Sequence, residues 1–270
     1  MTVDINAYYG TWPYWPLINN ALDSMLRKMD RYEIEWAFLA SLKGVFVDPA
    51  EGNREVLKVA SEHSDRFRPA LTYSPYASGK ESFRRELEEA GVVLVKLYPV
   101  HHSYDPLEEP FIAELLEYCG KYGIPVMIPH RLMMTWRLPT FEIRKIGLLA
   151  EAHPETKLVI GSVNYLFELQ TAFDVVRRYP NVFLDTSAMM AYREIEIAVK
   201  NIGAERLLHG TCNPLQNPAI GPLKIRTAQI DDADQRRILG GNVLTLLKER
   251  IPDASPRQGS QGSRPIPASE

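Results

Sequence analysis

Ile124-Pro125-Val126-Met127-Ile128-Pro129-His130-Arg131 is a short apolar run that ends abruptly in a histidine and an arginine. It follows Tyr122-Gly123, a helix-stop pair, and the next helical pattern begins near Pro139. A strand buried on both faces of a parallel sheet reads as a near-continuous apolar run, with its polar side chains delivered at the C-terminal end. Alone, this run decides nothing. Seven others recur at a steady interval, over residues 2–8, 36–42, 68–73, 92–98, 157–162, 182–187 and 206–211, each ending in polar or small residues.

Helical periodicity fills the gaps. Residues 20–32 carry Leu22, Met25, Leu26 and Met29 on one face. Residues 48–63 start with Asp48 in the N-cap place before Pro49. Further helical patterns run over 80–90, 109–122, 140–152, 165–179, 193–201, 217–227 and 232–250. Parallel neighbours need a crossover helix, so eight strand–helix units predict an α/β fold, a single (β/α)8 TIM barrel. An open doubly wound sheet would carry a Gly-rich phosphate turn after its first strand, and Tyr8-Tyr9-Gly10-Thr11 is not one. One barrel domain is expected over residues 1–250. Residues 251–270, with almost no large apolar side chain, read as a disordered tail.

The bulk properties agree. The chain has 270 residues, enough for such a barrel, which typically takes ~250. It is 45% hydrophobic and 24% charged, ordinary values for a soluble globular protein. A net charge of −3 gives no drive toward nucleic acid or anionic membrane. No apolar run approaches the ~20 residues of a membrane span, and the N-terminus does not read as a signal peptide. Two cysteines, Cys119 and Cys212, form no framework, so a cytoplasmic setting is expected.

In such barrels the chemistry sits at the C-terminal strand ends. The first strand offers Asp4, Asn6 and Tyr8, of one parity and so expected on one face. The fourth offers Lys96 and Tyr98, the fifth His130 beside Arg131, the sixth Ser162 and Asn164, the seventh Asp185 and Ser187, the eighth Thr211 and Cys212. His101 and His102 follow the fourth strand and are expected in solvent or at the rim; His209 is expected to pack on helices. Trp12, Tyr14, Trp15 and Trp136 lie in loops over the mouth, as loop packing, a subunit interface or a lid over a ligand. No His-x-His, HExxH or cysteine cluster is present, and a tight divalent site wants three or four such ligands. Lys96 reads either as a core lysine paired with Asp185 or Asp4, or as a pocket group for an anion or a proton. Cys212 reads as a nucleophile beside His130 or as a small neutral filler.

The sequence resembles the amidohydrolase superfamily, in the amidohydrolase-related branch that includes aminocarboxymuconate-semialdehyde decarboxylase-like enzymes. The resemblance spans roughly residues 4–247. It rests on Val3-Asp4-Ile5-Asn6, Gly91-Val92-Val93-Leu94-Val95-Lys96-Leu97-Tyr98-Pro99, Ile124-Pro125-Val126 leading to His130, Asn181-Val182-Phe183-Leu184-Asp185-Thr186-Ser187, Arg206-Leu207-Leu208-His209-Gly210-Thr211-Cys212-Asn213-Pro214 and the closing 238–247. It implies a divalent metal, commonly zinc, held by a His-x-His on the first strand, a His on the fifth, often one on the sixth, and an Asp after the eighth. Here those places read Asn6, Tyr8, His130, Ser162 and Cys212. The resemblance therefore implies the fold strongly and the metal chemistry poorly. No cofactor is expected, and zinc or another divalent ion only if His130 and Cys212 rebuild a site.

The functional expectation leans to a small-molecule hydrolase of esters, lactones or amides, needing little or no metal. His130, Lys96, Tyr8 and Cys212 are its expected catalytic groups. Asn6, Tyr98, Ser162, Trp12, Arg131 and Asp185 are its expected substrate contacts. The alternatives are a catalytically silent homologue that binds a small molecule or a partner protein, and a carboxy-lyase. The expected partner is a small molecule, with a homodimer left open. The enzyme reading requires His130, Lys96 and one of Tyr8, Tyr98 or Cys212 to meet in one cavity.

Overall fold

All eight apolar runs become strands, and they pair in parallel in chain order. In the computed structural model, which describes residues 1–247 apart from 15, 18, 19, 92 and 133–138, these are β1 (Val3–Tyr9), β2 (Trp36–Ser41), β3 (Phe67–Tyr73), β4 (Leu94–Leu97), β5 (Val126–Pro129), β6 (Leu158–Gly161), β7 (Val182–Asp185) and β8 (Leu207–Leu208). Backbone bonds Ile5 N to His209 O (2.9 Å), Cys212 N to Asn6 O (2.8 Å) and Tyr8 N to Asn213 O (2.7 Å) join the last strand to the first. The sheet thus closes into a (β/α)8 TIM barrel. The predicted tail 251–270, Trp15 and Trp136 lie outside the described residues.

The helices fall in the gaps: α1 (Leu22–Arg31), α2 (Leu42–Phe46), α3 (Pro49–Glu62), α4 (Lys80–Glu89), α5 (Pro110–Lys121), α6 (Ile143–Ala152), α7 (Leu166–Arg178), α8 (Glu194–Ile202), α9 (Ile220–Arg226), α10 (Asp232–Arg236) and α11 (Asn242–Leu246). Asp48 caps α3 as its sequence predicts, accepting from Glu51 N at 2.8 Å ahead of Pro49. The short α2 was not predicted; Ser41 ends β2 and its hydroxyl accepts from Lys43 N, so Leu42 opens a helix instead of closing a strand. The single helix expected over 232–250 is helical throughout 232–246 but is not uniformly α. A π turn at Arg237–Gly241 separates α10 from α11, where Gly240 packs so closely on Met1 that a Cβ would lie 2.7 Å from its carbonyl oxygen. No described helix is long and apolar enough to cross a membrane.

Strand alternation sorts the core into two layers. Val126, Ile128, Leu158, Ile160, Val182 and Leu184 pack outward with helix residues such as Ile112, Leu116, Ile146 and Phe173. Phe38, Ala70, Leu94, Met127, Val159 and Leu208 face inward and fill the barrel. β1 departs from this rule. Asp4 pairs with Ala37 and Ala7 with Leu39, so Ile5 and Asn6 together stand opposite Phe38. This is a β-bulge, which shifts the facing of one residue against the next. Asp4 holds it by accepting from Asn6 N (2.9 Å) and from the Thr211 backbone (3.0 Å) and hydroxyl. Asp4 therefore does not share the face of Asn6 and Tyr8, as simple alternation predicts.

Candidate functional site

At the C-terminal end of the barrel, Asn6 organises an inner polar cluster. Lys96, from β4, donates to Asn6 Oδ1 at 2.6 Å. Asn6 Nδ2 lies 2.8 Å from Asp185 Oδ2, 3.1 Å from Ser162 Oγ, 3.2 Å from Ser187 Oγ and 3.3 Å from Cys212 Sγ. An ammonium only donates and a carboxylate only accepts, so this orientation of the amide is the one that satisfies both. Asp185 also accepts from Ser162 N (3.1 Å), Ser187 N (2.9 Å) and the Ser187 hydroxyl. The Cys212 thiol donates to Ser187 Oγ at 3.2 Å. The Lys96 ammonium also sits 4.1 Å from the Tyr8 ring centroid, a cation–π contact.

Backbone geometry was built around this cluster. Ser162 and Cys212 follow β6 and β8 with φ of 56° and 53°, the left-handed region that side-chain-bearing residues seldom enter. That turn brings both side chains back inside. Gly210 presses on the cluster from the segment after β8; a Cβ there would lie 2.1 Å from Asp185 Oδ1, so only glycine fits.

The cluster is sealed. Asn6, Tyr8, Lys96, Asp185 and Cys212 are each 0% exposed. Ser162, Ser187 and Tyr98 are buried too, and Trp12, Leu132 and Leu215, from the loops after β1, β5 and β8, pack in the same layer as Tyr8, Tyr98 and Cys212. Burial pushes the Lys96 ammonium down to about 8, which still leaves it mostly charged at neutral pH. Burial pushes the Cys212 thiol up to about 12, and raises Tyr8 and Tyr98 above the ordinary phenol range. The hydroxyls of Tyr8 and Tyr98 lie near one another, yet neither finds a well-formed hydrogen bond.

His130 does not join this cluster, contrary to the sequence expectation. It shares the outward parity of Val126 and Ile128, while Met127 and Pro129 take the inward places on β5. Its Nδ1 lies 2.5 Å from Phe141 O, and its Nε2 lies 3.3 Å from both Arg131 Nη2 and Glu168 Oε1. The backbone carbonyl only accepts, so Nδ1 carries a proton. Arg131 bonds Glu168 and stacks 4.9 Å over the Tyr165 ring. His130 and Glu168 line a cavity of about 420 Å³ beside α6 and α7. Arg131 is therefore an outer ion-pair residue and not a contact of the inner cluster, and Cys212 is not a nucleophile beside His130.

Trp12 packs edge-on against Phe46 at 5.3 Å and tilted against Tyr14. His101 and His102 are half-buried, not solvated. His101 packs on Phe46 and Tyr98, and burial holds it down at about 4. His102 Nε2 lies 3.1 Å from Val45 O. His209 packs on the helix side with Nδ1 2.8 Å from Val3 O, as expected. Two residues escaped sequence reasoning. Lys224, on α9, donates to the carbonyls of Thr186, Ser187 (3.2 Å) and Met189 (2.8 Å), fixing the loop that carries Ser187. Nothing in its sequence context marks it. Glu168 had a signal, as the third residue of α7, where an acid caps back onto Tyr165 N.

Residues 10–248 match the family described as Amidohydrolase. The chain belongs to the amidohydrolase family. No curated protein is a match. Among solved structures, the chain is similar to an uncharacterized TIM-barrel protein from Bordetella bronchiseptica, at 18% identity over 92% of this chain and 99% of that one, TM-score 0.71. It is also similar to 5-carboxyvanillate decarboxylase from Sphingomonas paucimobilis (15%, 92% and 98%, TM-score 0.66). A third is a dihydroxybenzoic acid decarboxylase from Polaromonas sp., solved with bound manganese and 2-nitroresorcinol (17%, 92% and 96%, TM-score 0.68). At these identities the likeness establishes the fold.

The inner cluster does not fit a divalent metal. The Asn6 oxygen is taken by an ammonium, Tyr8 is a protonated phenol, Pro129 stands at the inward place on β5, and Ser162 is a neutral hydroxyl. Cys212 lies in the same hydrogen-bonded set, its thiol donating to Ser187 Oγ at 3.2 Å. An ammonium at the centre repels a dication. Among the described residues, no group of three or more His, Cys, Asp or Glu is placed to hold a metal.

Proposed function

We propose that this amidohydrolase-family barrel is a metal-independent, catalytically silent homologue that binds a small molecule, with its strand-end cluster serving the fold. The observation that carries this is the closure of the inner cluster: Asn6, Lys96, Asp185 and Cys212 spend their polar atoms on one another or on Ser162 and Ser187, at 0% exposure. A hydrolase must present a reacting group to its substrate, and these side chains are turned onto one another. Recognition then falls to the rim. A cavity of about 450 Å³ lies between the loop after β7 and α9, lined by Met190, Tyr192, Glu194 and Lys224 among others. Glu194 is buried, with Oε2 bonded to Ala191 N at 2.8 Å and Oε1 left unbonded. The cavity falls within the size of small-ligand pockets. The test is a panel of esters, lactones, amides and aromatic acids, assayed with and without zinc or manganese, alongside melts with the same compounds. Stabilisation without turnover supports the reading; turnover that vanishes in Lys96→Met sinks it.

A carboxy-lyase is the second reading. It is favoured by the decarboxylases among the similar structures and by the unbonded hydroxyls of Tyr8 and Tyr98 near a buried ammonium. In it, Lys96 would hold a substrate carboxylate and a tyrosine would deliver the proton that replaces carbon dioxide. Carbon dioxide release from hydroxybenzoates, lost in Tyr98→Phe, is the result that selects it.

A further inference from the structure

We propose that the Lys96 ammonium is a built-in cation around which the strand ends are assembled, and that the space it fills is a binding site for a primary alkylammonium once the side chain is cut away. The proposal rests on the metal-independent reading above. Three observations carry it. The two side chains that face inward near the end of β1 both bind this one ammonium, Asn6 through its oxygen at 2.6 Å and Tyr8 through its ring face at 4.1 Å. The places that a His-x-His would occupy thus supply a lone pair and a π cloud to a cation that arrives on the chain itself. The next layer is arranged by charge: Asn6 Nδ2 meets the Asp185 carboxylate at 2.8 Å, so one amide relays between a buried cation and a buried anion. The remaining groups, Ser162, Ser187 and Cys212, are neutral and close around Asp185 and the amide without adding charge. A neutral side chain at 96 would leave Asn6 Oδ1 without its donor and would take from Asp185 one of the two ammonium groups near it, Lys224 being the other.

Chemical rescue tests this. Lys96→Ala removes the atoms of n-propylamine, so thermal melts of Lys96→Ala and the natural protein are run in n-propylammonium chloride, in 1-propanol and in sodium chloride. The proposal expects propylammonium to raise the melting temperature of Lys96→Ala by about 4 °C at about ten times its Kd, with no such rise for the natural protein or with propanol. Equal rescue by propanol means Lys96 only fills volume, and overturns the proposal. No rescue by either overturns it as well. If Lys96→Ala does not fold unaided, refolding yield from urea is read with the same additives. Because the melt reads occupancy and not turnover, a failure here is separable from discovery of an activity, which would strike the silent-barrel reading instead.

Discussion

Two polar groups stand at the same end of this barrel, on opposite faces of the same sheet, and they are built on different logic. The inner one, around Asn6 and Lys96, is sealed and self-satisfied. The outer one, His130 with Arg131 and Glu168, is an ion-paired group that borders an open cavity. One residue of strand parity separates them: Met127 and Pro129 point in, Ile128 and His130 point out. The lesson is that a strand-end histidine is worth nothing as a ligand until its facing is known. Electrostatics adds a second lesson. The inner cluster joins one ammonium and one carboxylate through an amide, while the outer group keeps its charges in direct contact.

The largest expected effect separates those two designs. Lys96→Met and Asp185→Asn should each cost about 3–5 kcal/mol in urea unfolding, since each breaks the buried chain from Lys96 through Asn6 to Asp185. The double variant should lose clearly less than the two together, as coupled partners do. Simple additivity would mean that Asn6 does not relay between them.

Next comes pH. The folded-state value of Lys96 is lowered to about 8 from an ordinary 10.5. Between those values the unfolded chain holds a proton that the folded chain has released, so stability rises with pH across that window and is flat with respect to this group below it. The natural protein should therefore gain on Lys96→Met from pH 8 to 10.5, by up to about 3 kcal/mol. The same difference measured in a Lys224→Met background separates Lys96 from Lys224, which burial also lowers to about 8. A flat difference would place the Lys96 amine in contact with water.

The outer group should be cheaper to break. Glu168→Gln should cost about 2 kcal/mol, the scale of a hydrogen bond to a charged partner, and leave the pH behaviour of Lys96 unchanged. A cost equal to that of Asp185→Asn would erase the distinction between the regions. Smallest of all is reactivity: Cys212 is fully buried with its thiol pushed up to about 12, so it should label with a thiol reagent only on unfolding. Rapid labelling of the native protein at Cys212 would mean that the cluster opens.

The fold was legible because eight apolar runs and the helices between them obey simple periodicities, and the Asp48-Pro49 helix start reads directly from its chemistry. Much of the inner cluster was legible too: Asn6, Tyr8, Lys96, Tyr98, Ser162, Asp185 and Cys212 do come together. The failures have physical causes. The bulge in β1 turned Asp4 away from Asn6, and no bulge is visible in Val3-Asp4-Ile5-Asn6. His130 follows Pro129, so counting from Met127 would have placed it outward, but an apolar run alone does not tell which parity is inside. Lys224 is held by three carbonyls of a distant loop, a contact made only by folding.

The strand-end centre is filled by the chain's own cation, Lys96. Metal content of protein purified without chelators, followed by melts with added zinc or manganese, tests it most directly. No bound equivalent at this centre and no rise in melting temperature are expected. One tightly bound equivalent, with a rise that chelation reverses and that is lost when Asn6 or Cys212 is replaced, would contradict it.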